Sequence, residues 1–448
     1  MDLVMGMMNE EILIYTITII FCVIVVALYL FFGKKKSNLV VQKIELAKIE
    51  GRFEPNSLHP YIDLKTCIGS GACIKACPEK DIIGIVDGVA MVVNATSCIG
   101  HGACFHACPV EAISLRIGTE QRGVELPHIN QNYETNVKGI YIAGELGGMG
   151  LIKNSVEQGK QAVNYIVKSG KPKIDGVLDL VIIGAGPAGI SGALEAKKNG
   201  LSFETLEQDT LGGTVFTFPR AKIVMTNPMD LPLYGKVKLF DTSKKELLDI
   251  WNDALSKNNI QITENTKVKK IIPQENFTFK VITLDGKEFI CNHVLIAIGR
   301  RGSPRKLNIE GEDLPNVAYR LLEPELIQNK KIVVVGGGDS AVESALLLMD
   351  QNDVILSYRK DQFARLKPKN TESILAAQKE NKINILFNSE LTAIRLEEVQ
   401  FKFDNKEAET TYKNDMVFIF AGGELPTGFL KNAGIEISKR FGQIVKKH

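Results

Sequence analysis

A chain of 448 residues, 45% apolar and 24% charged, has material for two or three globular domains and is not disordered. Its 54 basic and 52 acidic residues give a formal net charge of +2, which leaves no reason to expect nucleic acid as a partner. The short basic run at Lys34 to Lys36 belongs to a different pattern at the N-terminus.

Residues 12 to 32, ILIYTITIIFCVIVVALYLFF, contain no charge and as a helix span about 30 Å, the hydrocarbon thickness of a bilayer. Glu10 and Glu11 precede this run and Lys34, Lys35 and Lys36 follow it. The positive-inside rule therefore expects residues 1–36 to be a single-pass anchor in the cell inner membrane, with the bulk of the chain in the cytoplasm. A cleaved signal peptide would have a positive start, a shorter apolar core and a small-residue cleavage site, none of which is seen. Residues 37–58 read as a polar linker.

Six of the eight cysteines fall between Cys67 and Cys108, which in a cytoplasmic protein argues for metal ligands rather than disulfides. Cys22 lies in the apolar run and Cys291 in a predicted strand, EFICNHVLIAIG, where both are expected to pack. The six form two similar halves, CIGSGACIKACPE and CIGHGACFHACPV, each followed by a short apolar run suited to a strand. This repeat resembles the two-cluster bacterial ferredoxin over roughly residues 61 to 117, within a predicted domain 59–117 of α+β type. The resemblance implies one cluster on Cys67, Cys73 and Cys108, with Ser70 at the missing position. The other would use Cys98, Cys104 and Cys77, with His101 there.

Those two departures leave the cluster type open. Three cysteines suit a 3Fe-4S cluster, while a 4Fe-4S cluster needs Ser70, His101 or solvent at its fourth iron, and one or two clusters are expected in all. A histidine in place of a thiolate removes a negative charge and raises the reduction potential. His106 is expected to face solvent or a neighbouring domain.

Further along, LDLVIIGAGPAGISGALEAKKNG (178 to 200) runs from an apolar strand through Gly184, Gly186 and Gly189 into a helix, and SFETLE ends on Glu207 about twenty residues later. Strand, glycines, helix and acid in this order form a dinucleotide site. The glycines let backbone N–H groups approach a pyrophosphate, and the Glu207 carboxylate accepts from a ribose. A second unit, KIVVVGGGDSAVESALLL (331 to 348), places Gly336, Gly338 and Ala341 in the fingerprint positions. Its next strand ends at Tyr358 without an acid and is followed by Arg359, Lys360 and Arg365. Those cations suit a 2′-phosphate, which favours NADPH over NADH, although a solvated charged loop has the same composition.

Two dinucleotide folds in one chain, with HVLIAIGR (293 to 300) between them and DMVFIFAGGELPTGFL (415 to 430) after, resemble the two-domain flavoproteins of the thioredoxin reductase type. The resemblance covers about residues 118 to 448. It implies FAD in the first fold and NADP(H) in the second, with Gly212, Gly213 and Thr214 of LGGT beside the flavin. The family's closing segment, which follows the second fold elsewhere, occurs here before the first, at ETNVKGIYIAGELGG, with Gly144 and with Glu145 in place of the usual aspartate. The flavoprotein is thus expected to be circularly permuted: 118–170 closing the FAD domain, 175–303 its main part, 304–425 binding NAD(P)H, and 426–448 returning to the FAD domain. The fold class expected overall is α/β, two Rossmann-like domains with the ferredoxin-like unit and the transmembrane helix added.

The function implied is a membrane-anchored oxidoreductase that moves electrons between NADPH, FAD and iron–sulfur clusters to an acceptor left open: a quinone, a ferredoxin or flavodoxin, or a membrane reductase. Direction is open, and so is a homodimer. A disulfide reductase is the rival enzyme, but VAYRLLEPELIQNKKIVVVGGG (317 to 338) lacks the Cys-x-x-Cys pair of thioredoxin reductases. Ala188 also stands where a related group carries a cysteine in the FAD fingerprint. A membrane-anchored redox sensor is the non-enzyme alternative, although no output domain is evident. Trp251, in an amphipathic helix over 241 to 259, is expected to pack rather than stack on a flavin.

Overall fold

The computed structural model describes residues 2–446, leaving out 50–52, 56, 57, 78, 80, 99, 101, 121, 122, 149, 150, 171, 172, 218–222, 226, 227, 240, 301–303, 364, 365 and 405–407. The expected ligand His101 and the expected phosphate contact Arg365 thus lie outside the described residues. The chain forms two compact units, one of Met1–Cys98, Gly102–Arg116 and Ile444–His448, the other of Ile99–His101 and Ile117–Gln443.

In the first unit, helix α1 (Asp2–Ile49) continues unbroken for 48 residues, about 70 Å at 1.5 Å per residue. Among the described residues it is the one helix long and apolar enough to cross a membrane, and its side chains from Tyr15 to Phe32 are exposed. The structure departs from the expected linker, because α1 runs on through residues 37–49. Ser37, Ile44 and Ala47 are buried and Val40 half-buried, a spacing that makes one helical face. That face packs on Val86, Met91 and Val93. Exposed Leu39, Val41 and Leu46 on the other side blur the periodicity in the sequence.

The partner of this arm is a hairpin of β2 (Ile83–Val86) and β3 (Val89–Val92), turned by Asp87 and Gly88 at positive φ of 47° and 83°. A β-carbon on Gly84 would stand 2.6 Å from Val40 Cγ1, so the close approach of the arm requires glycine. The outer strand β1 (His59–Ile62) pairs antiparallel with β4 (Ile113–Ile117), Tyr61 facing Ser114, and β25 (Gln443–Lys446) joins the other edge of β4. The two cysteine halves repeat in the backbone. Each short helix, α2 (Ala72–Ala76) and α3 (Ala103–His106), starts at a left-handed glycine, Gly71 or Gly102. A second positive-φ glycine, Gly69 or Gly100, lies two residues before it.

In the second unit β5 (Val124–Pro127) pairs antiparallel with β24 (Ile437–Arg440). Strand β6 (Ile140–Ile142) then enters a sheet beside β15 (Glu288–Ile296), and β7 (Leu178–Ile183) and β8 (Phe203–Leu206) follow on the other side, all parallel. The near-continuous apolar character of these strands fits a sheet covered on both faces. One face is covered by α4 (Ile152–Ser169), α5 (Pro187–Lys198) and α6 (Lys244–Lys257), with Trp251 fully buried among them. Ser243 caps α6 by accepting the Glu246 N–H. The other face is covered by a hairpin of β13 (Val268–Pro273) and β14 (Phe279–Thr283) and by Leu430, Ala433 and Ile435, at and after α9 (Thr427–Asn432). Cys291 is buried here as a packing residue.

The second sheet is also parallel, in the order β16 (Val317–Ala318), β23 (Met416–Ile419), β17 (Lys331–Val335), β18 (Asp353–Tyr358), β19 (Asn384–Phe387). Helices α7 (Asp339–Leu348) and α8 (Pro368–Lys379) pack on it, with an antiparallel trio of Ser389–Ile394, Glu398–Phe403 and Thr410–Lys413 on the far side.

Candidate functional site

The two glycine turns have the same construction. Gly184 N–H donates to Leu206 O at 2.7 Å, and Gly336 N–H to Ser357 O at 2.9 Å, tying each first glycine to the next strand. Both have positive φ, 102° and 143°, which favours glycine. A β-carbon would stand 2.7 Å from Ala297 O at Gly184 and 2.7 Å from Phe420 O at Gly336. Thus HVLIAIGR and the strand before FAGGE occupy equivalent places, each running under one fingerprint turn. The third position differs: a β-carbon on Gly189 would overlap the Gly184 carbonyl, whereas Ala341 is accommodated and buried.

Gly186 and Gly338 cap α5 and α7 without any side-chain hydrogen bond, and a β-carbon on either would meet nothing within 4 Å. Each therefore presents uncapped helix N–H groups to open space, the arrangement that receives a pyrophosphate. In the first turn, Gly213 comes against Gly186, 3.3 Å between its would-be β-carbon and Gly186 Cα, and Gly212 N–H donates to Ala185 O at 2.9 Å. Thr214 follows in a short turn whose carbonyl accepts from Thr217. Glu207, 5% exposed, accepts from Ala185 N–H at 2.7 Å and Asp209 N–H at 3.0 Å. Burial raises its carboxyl above the usual range, against the pull of those two donors.

Residues before the first fingerprint pack against this turn. Gly144, at φ 87°, donates its N–H to Gln158 Oε1 at 2.8 Å, and its would-be β-carbon stands 3.1 Å from Ala188 Cβ. Gly159 in α4 lies so close to α5 that a β-carbon would overlap the Ala188 carbonyl. Glu145 lies beside Arg300, whose guanidinium burial lowers and the Glu145 charge raises. Gln158, Gly159 and Arg300 were not apparent as site residues from sequence. An isolated glycine inside the helical pattern EQGKQA was the available signal for a close backbone approach.

At the second fingerprint, the Tyr358 ring lies where a β-carbon on Gly337 would be, and it stacks on Phe363 with centroids 5.6 Å apart. Asp339 at the start of α7 accepts from Lys367 N–H at 2.9 Å and Asn370 at 2.7 Å, binding the following segment to the turn. Arg359 and Lys360 are exposed directly after β18.

In the first unit, Cys67, Ser70, Cys73 and Cys108 line one pocket with Ile62, Ile68 and Val110. Cys67 Sγ accepts from Ala90 N–H at 3.3 Å and Cys108 Sγ from Ala112 N–H at 3.2 Å. Such donors stabilise thiolate sulfur, and three cysteines lining one pocket suit a cluster, although among the described residues no three His, Cys, Asp or Glu side chains are gathered to hold a single metal ion. Ser70, at the position of the missing cysteine in the repeat, is exposed and lines this pocket. Burial raises the Cys73 thiol, with Cys67 and Cys108 as the nearby charges that add to it. Burial likewise pushes Cys104 up to about 12, with Cys98 and Cys77 adding most among its neighbours. Cys73 of the other expected set also acts on Cys104, so the six thiols form one electrostatic neighbourhood. Cys77 is raised by burial too, and metal coordination would release these protons. His106 is exposed, against Phe105.

Residues 181–446 match the family model described as pyridine nucleotide-disulphide oxidoreductase, and residues 59–109 match a 4Fe-4S dicluster domain. The chain is 28% identical over 269 residues to the bacilliredoxin reductase Bdr of Bacillus subtilis, covering 59% of this chain and 82% of that protein. It is 29% identical over 277 residues to a ferredoxin–NADP reductase of Thermus thermophilus, covering 58% and 78%. The solved bacillithiol disulfide reductase Bdr of Staphylococcus aureus shares the fold, with a TM-score of 0.50 at 24% identity over 59% of this chain and 85% of that one. The chain belongs to the pyridine nucleotide-disulphide oxidoreductase family, a flavin-dependent oxidoreductase that carries a 4Fe-4S dicluster domain ahead of its nucleotide-binding part.

Proposed function

We propose that this chain is a membrane-anchored oxidoreductase that passes electrons between NADPH, FAD and two iron–sulfur clusters to a separate acceptor. The observation that carries the reading is the joining of a dicluster domain to a pyridine nucleotide oxidoreductase in one chain. FAD supplies the exchange between a two-electron hydride donor and one-electron clusters. The chain's own residues bind and orient. Gly184, Gly186 and Gly189 with the α5 N-terminus hold the FAD pyrophosphate, Glu207 the ribose, and Gly144, Glu145 and Gly212 to Thr214 border the flavin. Gly336, Gly338 and Ala341 hold the NADPH pyrophosphate. Residues 118–170 close the FAD domain from the N-terminal side, a circular permutation supported by β6 beside β15 and by Gly159 against Ala188. Helix α1 anchors the protein in the inner membrane, with Lys34 to Lys36 holding the bulk in the cytoplasm.

Electron paramagnetic resonance on anaerobically purified protein, with iron and flavin content, tests the relay. Cluster signals that change on adding NADPH are expected. Full flavin without iron, or flavin bleaching that never reaches the clusters, would overturn it.

Gly186→Ala is expected to lower FAD occupancy while leaving the melting temperature of the apoprotein unchanged, because the added methyl meets no protein atom. Arg359→Ala and Lys360→Ala are each expected to raise KM for NADPH about tenfold, the equivalent of a lost charge-assisted hydrogen bond, with KM for NADH unchanged. Steady-state kinetics with both nucleotides checks this.

The likeness to bacilliredoxin reductase favours disulfide reduction as a second reading. Between residues 118 and 448 the sequence has one cysteine, Cys291, which is buried in β15. Turnover of a small disulfide as fast as that of an artificial one-electron acceptor would support this second reading.

A further inference from the structure

The arm of α1 and the cysteine repeat belong to one compact unit, so their contacts place the first cysteine set relative to the apolar span. Ser37 follows the span's last residue, Phe32, by five positions, about 8 Å of helix. Its hydroxyl donates to Asp87 Oδ1 at 3.0 Å and accepts the Asp87 N–H at 3.1 Å, pinning the tip of the β2–β3 hairpin there. The other end of the hairpin is held further from the span, by Lys43 on Asp81 at 2.6 Å. The first cysteine loop presses on the tip: a β-carbon on Gly69 would overlap the Gly88 carbonyl, and Cys67 Sγ accepts from Ala90 N–H just beyond. The pocket of Cys67, Cys73 and Cys108 is therefore at the membrane end of the unit. Cys77 of the second set precedes Asp81 by four residues, at the far end of the hairpin.

The first cysteine loop exposes two apolar side chains among polar ones. Ile68 is 64% exposed and Leu64 51% exposed, one on each side of Cys67. Exposed apolar side chains beside a membrane span suit the interfacial layer of a bilayer, and exposed Lys34, Lys35, Lys36 and Lys65 suit its anionic headgroups. We propose that the 64–70 loop lies on the bilayer surface and that the Cys67, Cys73 and Cys108 set is the electron exit, to a quinone-class acceptor in the lipid. The inference rests on the anchored relay proposed above and names its acceptor. NADPH, one proton and the quinone yield NADP⁺ and quinol: the two electrons of the hydride arrive singly, its hydrogen is left to solvent as a proton, and the quinone takes two protons from solvent, a net uptake of one.

The full chain in vesicles with brominated acyl chains tests the placement, since bromine quenches only nearby indole and native Trp251 is fully buried. Ile68→Trp and, separately, Leu64→Trp are expected to lose emission relative to unbrominated vesicles after subtraction of the wild type. Ile49→Trp, about 25 Å of helix beyond Phe32, is expected to keep it. Wild-type vesicles loaded with ubiquinone are expected to oxidise NADPH continuously, and quinone-free vesicles to stop after one reduction. Equal emission from both loop variants in the two lipids would overturn the proposal. Quenching without quinone-dependent oxidation would overturn the quinone assignment and point to a membrane protein. Flavin bleaching and cluster signals in the same vesicles separate either failure from failure of the relay.

Discussion

Gly159→Ala is expected to strip the flavin and destabilise the second unit by about 3 kcal/mol, the upper range for forcing volume into a packed interior. The new methyl would overlap the Ala188 carbonyl, which belongs to the first turn of α5, and backbone cannot yield as a side chain tip can. Either α4 moves off α5 or the turn that presents Gly186 shifts, and both weaken FAD binding. Gly192 and Val163 pack along the same crossing, so the displacement is not easily absorbed. The effect is informative because Gly159 lies outside the residues 181–446 of the family match. Flavin content and thermal unfolding check it. Full flavin and an unchanged melting temperature would show that α4 is not part of the FAD site and would remove the main support for the permuted arrangement.

Serine substitutions in the cysteine repeat are expected to group by space rather than by sequence. Cys108→Ser should resemble Cys67→Ser and Cys73→Ser, each losing the cluster at the α1 end. Cys77→Ser should resemble Cys98→Ser and Cys104→Ser, each losing the other. A hydroxyl is a poor substitute for a thiolate on iron, and cluster affinity should fall by about a hundredfold, the upper end of what loss of an outer-sphere contact costs. Iron content should fall by half in every variant, with one of two spectral components missing. Quinone-dependent turnover should be lost in the Cys67, Cys73 and Cys108 group. If Cys77→Ser instead removes the component that Cys67→Ser removes, each half binds its own cluster and the crossed assignment is wrong. If Ser70 is a ligand of the first cluster, Ser70→Ala in the same background abolishes any iron that the first group retains beyond half.

Much of this protein is written locally. The two glycine turns are legible because each residue answers a short-range demand: a positive φ at Gly184 and Gly336, and contact with a nearby carbonyl at Gly189. The cysteine repeat is legible for the same reason, and its internal symmetry returns in the paired left-handed glycines before α2 and α3. The apolar run of α1 follows from composition alone. Which cysteines are neighbours was legible only through family resemblance, since spacing does not say that Cys108 joins Cys67.

Tertiary structure decided what depends on contacts distant in sequence. It made residues 37–49 a helical arm, because the hairpin of β2 and β3 buries Val40, Ile44 and Ala47, whereas their own sequence leaves as many apolar side chains exposed as covered. It left no room for a side chain at an ordinary-looking Gly159, because the crossing of α4 and α5 brings the Ala188 carbonyl within reach. It also tied the tip of the β2–β3 hairpin to α1 through Ser37 and Asp87, residues fifty positions apart whose pairing no periodicity records. Local backbone chemistry is fixed by neighbours along the chain, while the placement of one element against another depends on which surfaces the whole fold buries.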